Sequence, residues 1–123
     1  YDMADICYPT DGLGLAAYEL WLEAFRSGTA DLHGASSHAW SLSMLRRHAA
    51  GFIGEIIDHM PDTSRQSLDR AKACYEEEVT ALETLAKVCR EGADGGGVPE
   101  APAHLQAALV AERGAVEAIE AAI

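Results

Sequence analysis

The stretch TSRQSLDRAKACYEEEVTALETLAKVCR, from Thr63 to Arg90, is the most informative in the chain. Leu68, Ala71, Tyr75, Val79, Leu82, Ala86 and Cys89 recur at steps of three or four, which lines one face of an α-helix with apolar side chains. Thr63 and Gln66 stand three apart as a capping box, so the helix opens there. Gly92 lies just past its end. Lys72/Glu76 and Glu83/Lys87 are opposite charges four apart on the wet side. A rod of this length, apolar along one side, has to be covered by other helices.

The same spacing recurs on either side. Leu105, Leu109, Glu112, Val116, Ile119 and Ile123 form a seam in a helix that Pro102 opens, broken by a single carboxylate. On the N-terminal side, Leu42, Leu45, Ala49, Phe52, Ile53, Ile56 and Met60 mark a helix that Ser36 or Ser37 caps and Pro61 ends, with Arg46, Arg47, Glu55 and Asp58 facing water. Residues 28–36 then read as a loop. A shorter helix is expected from Leu13 to Arg26, capped by Thr10 or Asp11 and closed by Gly28. Its charged stripe is Glu19, Glu23 and Arg26, so Leu20, Trp21, Ala24 and Phe25 should pack. The three longer helices come to about 34–40 Å at 1.5 Å per residue. Short connections make neighbours antiparallel. The expected fold is all-α: an up-and-down antiparallel bundle of four helices, the first one shorter. One domain spans 1–123, with an extended lead-in at 1–11 and a flexible Gly-rich connector at 92–100.

Length and charge agree with one acidic domain. The chain has 123 residues, 49% of them hydrophobic, and a mean hydropathy of -0.04, enough apolar material for a core. Twenty Asp and Glu against nine Lys and Arg leave a net charge of -11, which repels phosphate backbones and anionic lipid. Nucleic acid and membrane are therefore excluded as expected partners. No apolar run reaches the roughly 18 residues of a membrane span and no signal-peptide pattern opens the chain, so a cytoplasmic location is expected. Tyr1 is not an initiator, which leaves a trimmed or tagged chain, a start at Met3, or a piece of something longer. Three cysteines, Cys7, Cys74 and Cys89, read as idle thiols in a reducing compartment; the last two share a helix about 22 Å apart and cannot bridge.

Reactive constellations are scarce. Glu55 and His59 are four apart rather than three, without a second such pair, so a two-iron carboxylate site is not expected. His33, His38, His48 and His104 are scattered, and neither a metal nor a cofactor is expected. Cys74 sits beside the acidic run Glu76-Glu77-Glu78, which would raise its pKa. The acidic run itself reads as a solvated turn of helix. Gly12-Leu13-Gly14 lacks the third glycine of a dinucleotide fingerprint. What remains is an aromatic and histidine set, Tyr18, Trp21, His38, Trp40, His48, Phe52 and Tyr75. It reads as plain core, as the lining of a small-molecule pocket oriented by His38 or His48, or as a dimer surface.

Three segments also carry a resemblance. Gly14-Leu15-Ala16-Ala17-Tyr18-Glu19-Leu20-Trp21, Leu45-Arg46-Arg47-His48-Ala49-Ala50-Gly51-Phe52-Ile53 and Ala71-Lys72-Ala73-Cys74-Tyr75-Glu76-Glu77-Glu78 resemble the helical C-terminal region of proteins with a papain-like or C39-like domain of the butirosin-biosynthesis-H type in front. The likeness spans roughly residues 12 to 90. The catalytic-type domain and its Cys/His pair have no counterpart here, so the resemblance implies a helical module and transfers no catalytic residue. The expected function is a non-catalytic module that binds a small, partly apolar or cationic ligand, or a protein partner. Two alternatives are a small enzyme pairing His48 or His59 with Glu55 as acid and base, and a homo-oligomer, such as a homodimer, in which the fourth helix swings on its glycine hinge.

Overall fold

A computed structural model describes residues 11–95 and 99–123. Four α-helices make up nearly all of it: α1 (Asp11–Ser27), α2 (Leu32–Ile56), α3 (Asp62–Gly95) and α4 (Ala101–Ala122), with a 3-10 turn at Ile57–His59. There is no strand among the described residues. The chain is an all-α antiparallel bundle whose central rod is α3, flanked by α2 and α4, while α1 lies mainly along α4. The lead-in at 1–10, with Cys7, and residues 96–98 of the connector lie outside the described residues.

Helix boundaries follow local chemistry, with three corrections. Gly28, at φ 75, closes α1 as expected, because only glycine takes that left-handed conformation without strain. The following loop is shorter than 28–36: α2 starts at Leu32, behind Asp31 in extended conformation, whose carbonyl accepts from the Ala35 N–H. The run His33-Gly34 is a poor helix former, but it is carried by Ala35 and Ala39, which are buried in the core. α3 starts at Asp62 rather than at a Thr63 cap, because the Pro61 carbonyl already accepts from Ser64 and Arg65. It then runs to Gly95 instead of stopping at Gly92. Pro61 forces Met60 to extended backbone (ψ 154), and the chain tightens into the 3-10 turn before it.

The core falls into two apolar clusters. One joins Tyr18 and Leu22 of α1 to Ala35 and Ala39 of α2, Leu82, Leu85 and Cys89 of α3, and Leu105 and Leu109 of α4. The other is built by three helices only, from Ile53, Leu68, Ala71 and Ala118, with Met60 and Tyr75 at its edge. Between them in sequence position, each of α2, α3 and α4 turns one charged residue inward: Arg46, Glu78 and Glu112. The expected inward stripe of α2 is partly reversed. Leu45 and Phe52 are exposed, and Arg46 is turned inward. Leu20 of α1, expected to pack, is also exposed.

Candidate functional site

The polar layer is assembled at a seam. On α3, Ala71, Tyr75, Glu78, Leu82, Leu85 and Cys89 follow alternating steps of four and three, so Glu78 takes a core position. Its side chain has no exposed surface. Ala39, Ser43, Arg46, Ala50 and Ile53 do the same on α2. Glu112 occupies the equivalent place on α4, where Leu105, Ala108, Leu109 and Ala115 are buried around it.

Four side chains converge there. Arg46 donates from Nε to Glu112 Oε1 at 2.8 Å and from Nη2 to Glu112 Oε2 at 3.3 Å, a bidentate pair. The same Nε lies 3.4 Å from Glu78 Oε2. Tyr18 Oη donates to that oxygen at 2.5 Å. The Arg46 guanidinium also stands 6.0 Å from the Tyr75 ring centre, within cation–π range.

Two carboxylates facing one guanidinium cannot both ionise cheaply in a dry interior. Burial, then the charge of Glu112, push the Glu78 carboxyl up to about 8, against the opposing pull of the Tyr18 hydrogen bond and Arg46. Glu78 therefore holds a proton at neutral pH. Its Oε1 has no acceptor or donor partner as an ionised group; protonated, it can donate to Glu112, whose carboxylate lies within hydrogen-bonding reach. The layer is then balanced: one guanidinium, one carboxylate, one neutral acid. Burial and the Glu78 charge also raise Tyr18, which stays a phenol. Arg46 stays charged: burial works against it, but Glu112 and Glu78 outweigh that and raise its pKa.

A cleft of about 410 Å³ opens over this layer between α1 and α2. Tyr18 and Arg46 belong to its lining, together with Leu20, Trp21, His38 and Leu42. The Trp21 ring stacks on the His38 imidazole, with centroids 5.0 Å apart and planes at 28°. Tyr18 flanks the same indole at 6.4 Å and Phe25 at 6.3 Å. The result is a half-open, mostly apolar slot with a polar end, of a size that takes small molecules. A second depression, about 430 Å³, runs along α2 and α3 beside Arg47, Lys72, Glu76 and Glu83. It is lined by solvated ion pairs, Arg47–Glu83 and Lys72–Glu76, and offers a ligand little apolar cover.

Of the seven residues expected at a pocket, Tyr18, Trp21 and His38 come together in the cleft, and Tyr75 lies on Arg46 beneath it. Trp40, His48 and Phe52 stand on the outer, solvent-facing side of α2. The reason is angular: with 3.6 residues per turn they lie about 100° or more round the helix from Ala39, Arg46 and Ile53. Sequence reasoning puts Glu112 in the apolar seam of the fourth helix without a partner, and misses Arg46 and Glu78 because it reads those two charges as wet. The unused clue was that each sits in register with a buried seam.

Other candidates do not assemble. His48 and Glu55 are exposed on the outer side of α2 and His59 on the 3-10 turn, and no hydrogen bond joins them among the described residues. Cys74 and Cys89 are free thiols. Burial raises both, Cys89 to about 11 with help from Glu100, and Cys74 with help from Glu77. Neither is a nucleophile at neutral pH. Among the described residues no group of three acidic, histidine or cysteine side chains could hold a metal ion, and no helix is long and apolar enough to cross a membrane. No protein-family model matches the chain, and no curated protein or solved structure is detectably similar to it.

Proposed function

We propose that this chain is a non-catalytic, cytoplasmic binding module whose α1–α2 cleft takes a small, partly apolar molecule with a hydrogen-bond-accepting end. One observation carries the reading: Arg46 lines the Trp21–His38 slot, and its Nη1 has no hydrogen-bond partner among the described residues. A flat apolar body lies against Trp21, Leu20 and Leu42, and a carboxylate or carbonyl accepts from Arg46. The spare Nη1 donor of Arg46, which needs an acceptor, favours such a ligand over a cationic one. Leu20, 74% exposed next to the indole, is covered when the slot fills. The likeness to the helical region of butirosin-biosynthesis-H-type proteins supports a module of this kind, and the net charge of -11 supports neither nucleic acid nor anionic membrane as partner.

The test is a thermal-shift panel of paired aromatic carboxylic acids and aromatic amines of the same skeleton. Saturation at 100 times the dissociation constant adds about 2.7 kcal/mol, several degrees of Tm for a domain of this size. At least one acid should produce that shift, its amine should not, and Trp21→Ala should abolish it while the fold persists. A flat response to every acid, or shifts that Trp21→Ala leaves intact, would refute the cleft as a binding site.

A further inference from the structure

The outer face of α2 carries a second surface, independent of the cleft. Trp40, Met44, Leu45 and Phe52 stand on it at 54%, 39%, 59% and 61% exposure, together with His48, Gly51, Ser37 and Ser41. Large apolar side chains scattered singly on a surface need no explanation, but a contiguous stripe does. The charge pattern singles this one out. Acidic residues make up 20 of the 123 positions, yet none occurs between Leu32 and Gly54, the longest carboxylate-free run in the chain. On a molecule of net charge -11 this face carries a single carboxylate of its own helix, Glu55 at its C-terminal edge, which the dyad would set at the level of the second copy's Ser37, so a second equally acidic molecule meets little repulsion there.

We propose that this face is a homodimer interface, α2 packing antiparallel on α2 of a second copy about a two-fold axis near the level of Arg46. The pattern is self-complementary in that arrangement. Trp40 and Phe52 lie six residues to either side, about 9 Å each way along the axis. The dyad brings Phe52 of the second copy to the level of Trp40, and the second copy's His48 to the level of Met44. Gly51 and Ser41 share a level too, and their small side chains let the two helices approach closely. Nothing lies within 4 Å of the position a Cβ on Gly51 would take, so the gap is open to the partner helix.

The size of the surface agrees. Aromatic side chains bury up to roughly 150–250 Å² each, so the exposed parts of Trp40 and Phe52 with Met44 and Leu45 offer about 400 Å² of apolar cover per copy. The serines, His48 and the rim bring the footprint towards the roughly 800 Å² that a specific interface buries on each partner. Arg47 sits at the edge and is already held by Glu83 of its own α3, so it does not oppose its symmetry mate across the centre. An isologous contact of this kind closes on itself and stops at two copies.

Sedimentation velocity over a concentration series, from micromolar to hundreds of micromolar, tests this. The expected result is a reversible rise from 13.1 kDa to twice that mass. Phe52→Glu buries an unpaired carboxylate against Trp40 of the second copy, at two places in the interface, and should raise the dimer dissociation constant by about a hundredfold or more. Its helical circular dichroism should remain that of the native chain, because Phe52 supports no core contact. Should Phe52→Glu fail to fold, Met44→Lys at the same face gives the same reading. A monomer at every concentration, a dimer that neither substitution weakens, or growth past two copies would each overturn the proposal.

Discussion

A carboxyl group with no exposed surface is the most consequential residue in this chain, and its proton has a measurable signature. Free glutamate titrates near 4.5, and Glu78 in the folded chain near 8, chiefly through burial and then through the charge of Glu112. Between those values the folded chain holds a proton that the unfolded chain has released, so stability falls as pH rises through the interval. The contribution is complete below about pH 4.5 and lost above about 8, and it amounts to a few kcal/mol, since each tenfold gain in proton affinity on folding is worth about 1.4 kcal/mol. Glu78→Gln keeps the shape, cannot ionise, still accepts from Tyr18 and still donates to Glu112. Melting curves from pH 6 to 9 should show the native chain losing stability while Glu78→Gln stays level, the two diverging as pH rises. Parallel curves would mean that Glu78 is ionised throughout, and the balanced layer would then be wrong.

Among single helices, α3 and α4 meet at a point that a glycine keeps open. A Cβ on Gly114 would come within 2.9 Å of the Cys74 sulfur. Alanine is worth about 1 kcal/mol over glycine in a helix interior, but overpacking a fitted contact costs about 1–3 kcal/mol. Gly114→Ala alone is therefore expected to be neutral to destabilising by about 1–2 kcal/mol. In a Cys74→Ala background the obstructing atom is gone, and the same change should stabilise by about 1 kcal/mol. Urea unfolding of the four chains in a double-mutant cycle reads the coupling directly. Additive effects would show that the two helices do not press on one another here. The termini of the helices were legible from such local chemistry: Gly28, Pro61 and Pro102 act through their own backbone limits, whatever packs around them. The early start of α2 was not, because tertiary burial of Ala35 and Ala39 outweighs the weak local preference at His33-Gly34.

For the molecule as a whole, excess charge is the governing quantity. Nine basic residues face twenty acidic ones, so the folded state compresses a net charge of -11. Raising salt from about 0.01 M to about 0.1 M shortens the screening length from about 30 Å to about 10 Å. Exposed pairs such as Arg113–Glu19 and Arg65–Asp62 lose little by this, since each is worth at most about 1 kcal/mol. Self-repulsion loses more, and the melting temperature at neutral pH should rise with sodium chloride; a fall in differential scanning calorimetry would show that attractive pairs dominate instead. The all-α class, four rods, their order and their antiparallel packing came from the sequence alone, because apolar spacing and prolines or glycines at helix ends are properties of neighbours along the chain. The sequence also grouped Tyr18, Trp21 and His38, which line one cleft of the fold. It took the docking of the helices to put Arg46 and Glu78 inside, to give the seam carboxylate Glu112 its partner, and to leave Leu20, Leu45 and Phe52 outside. A charge's burial depends on whether opposite charges from other helices arrive at the same level to offset its desolvation, and three helices must be docked before that meeting exists.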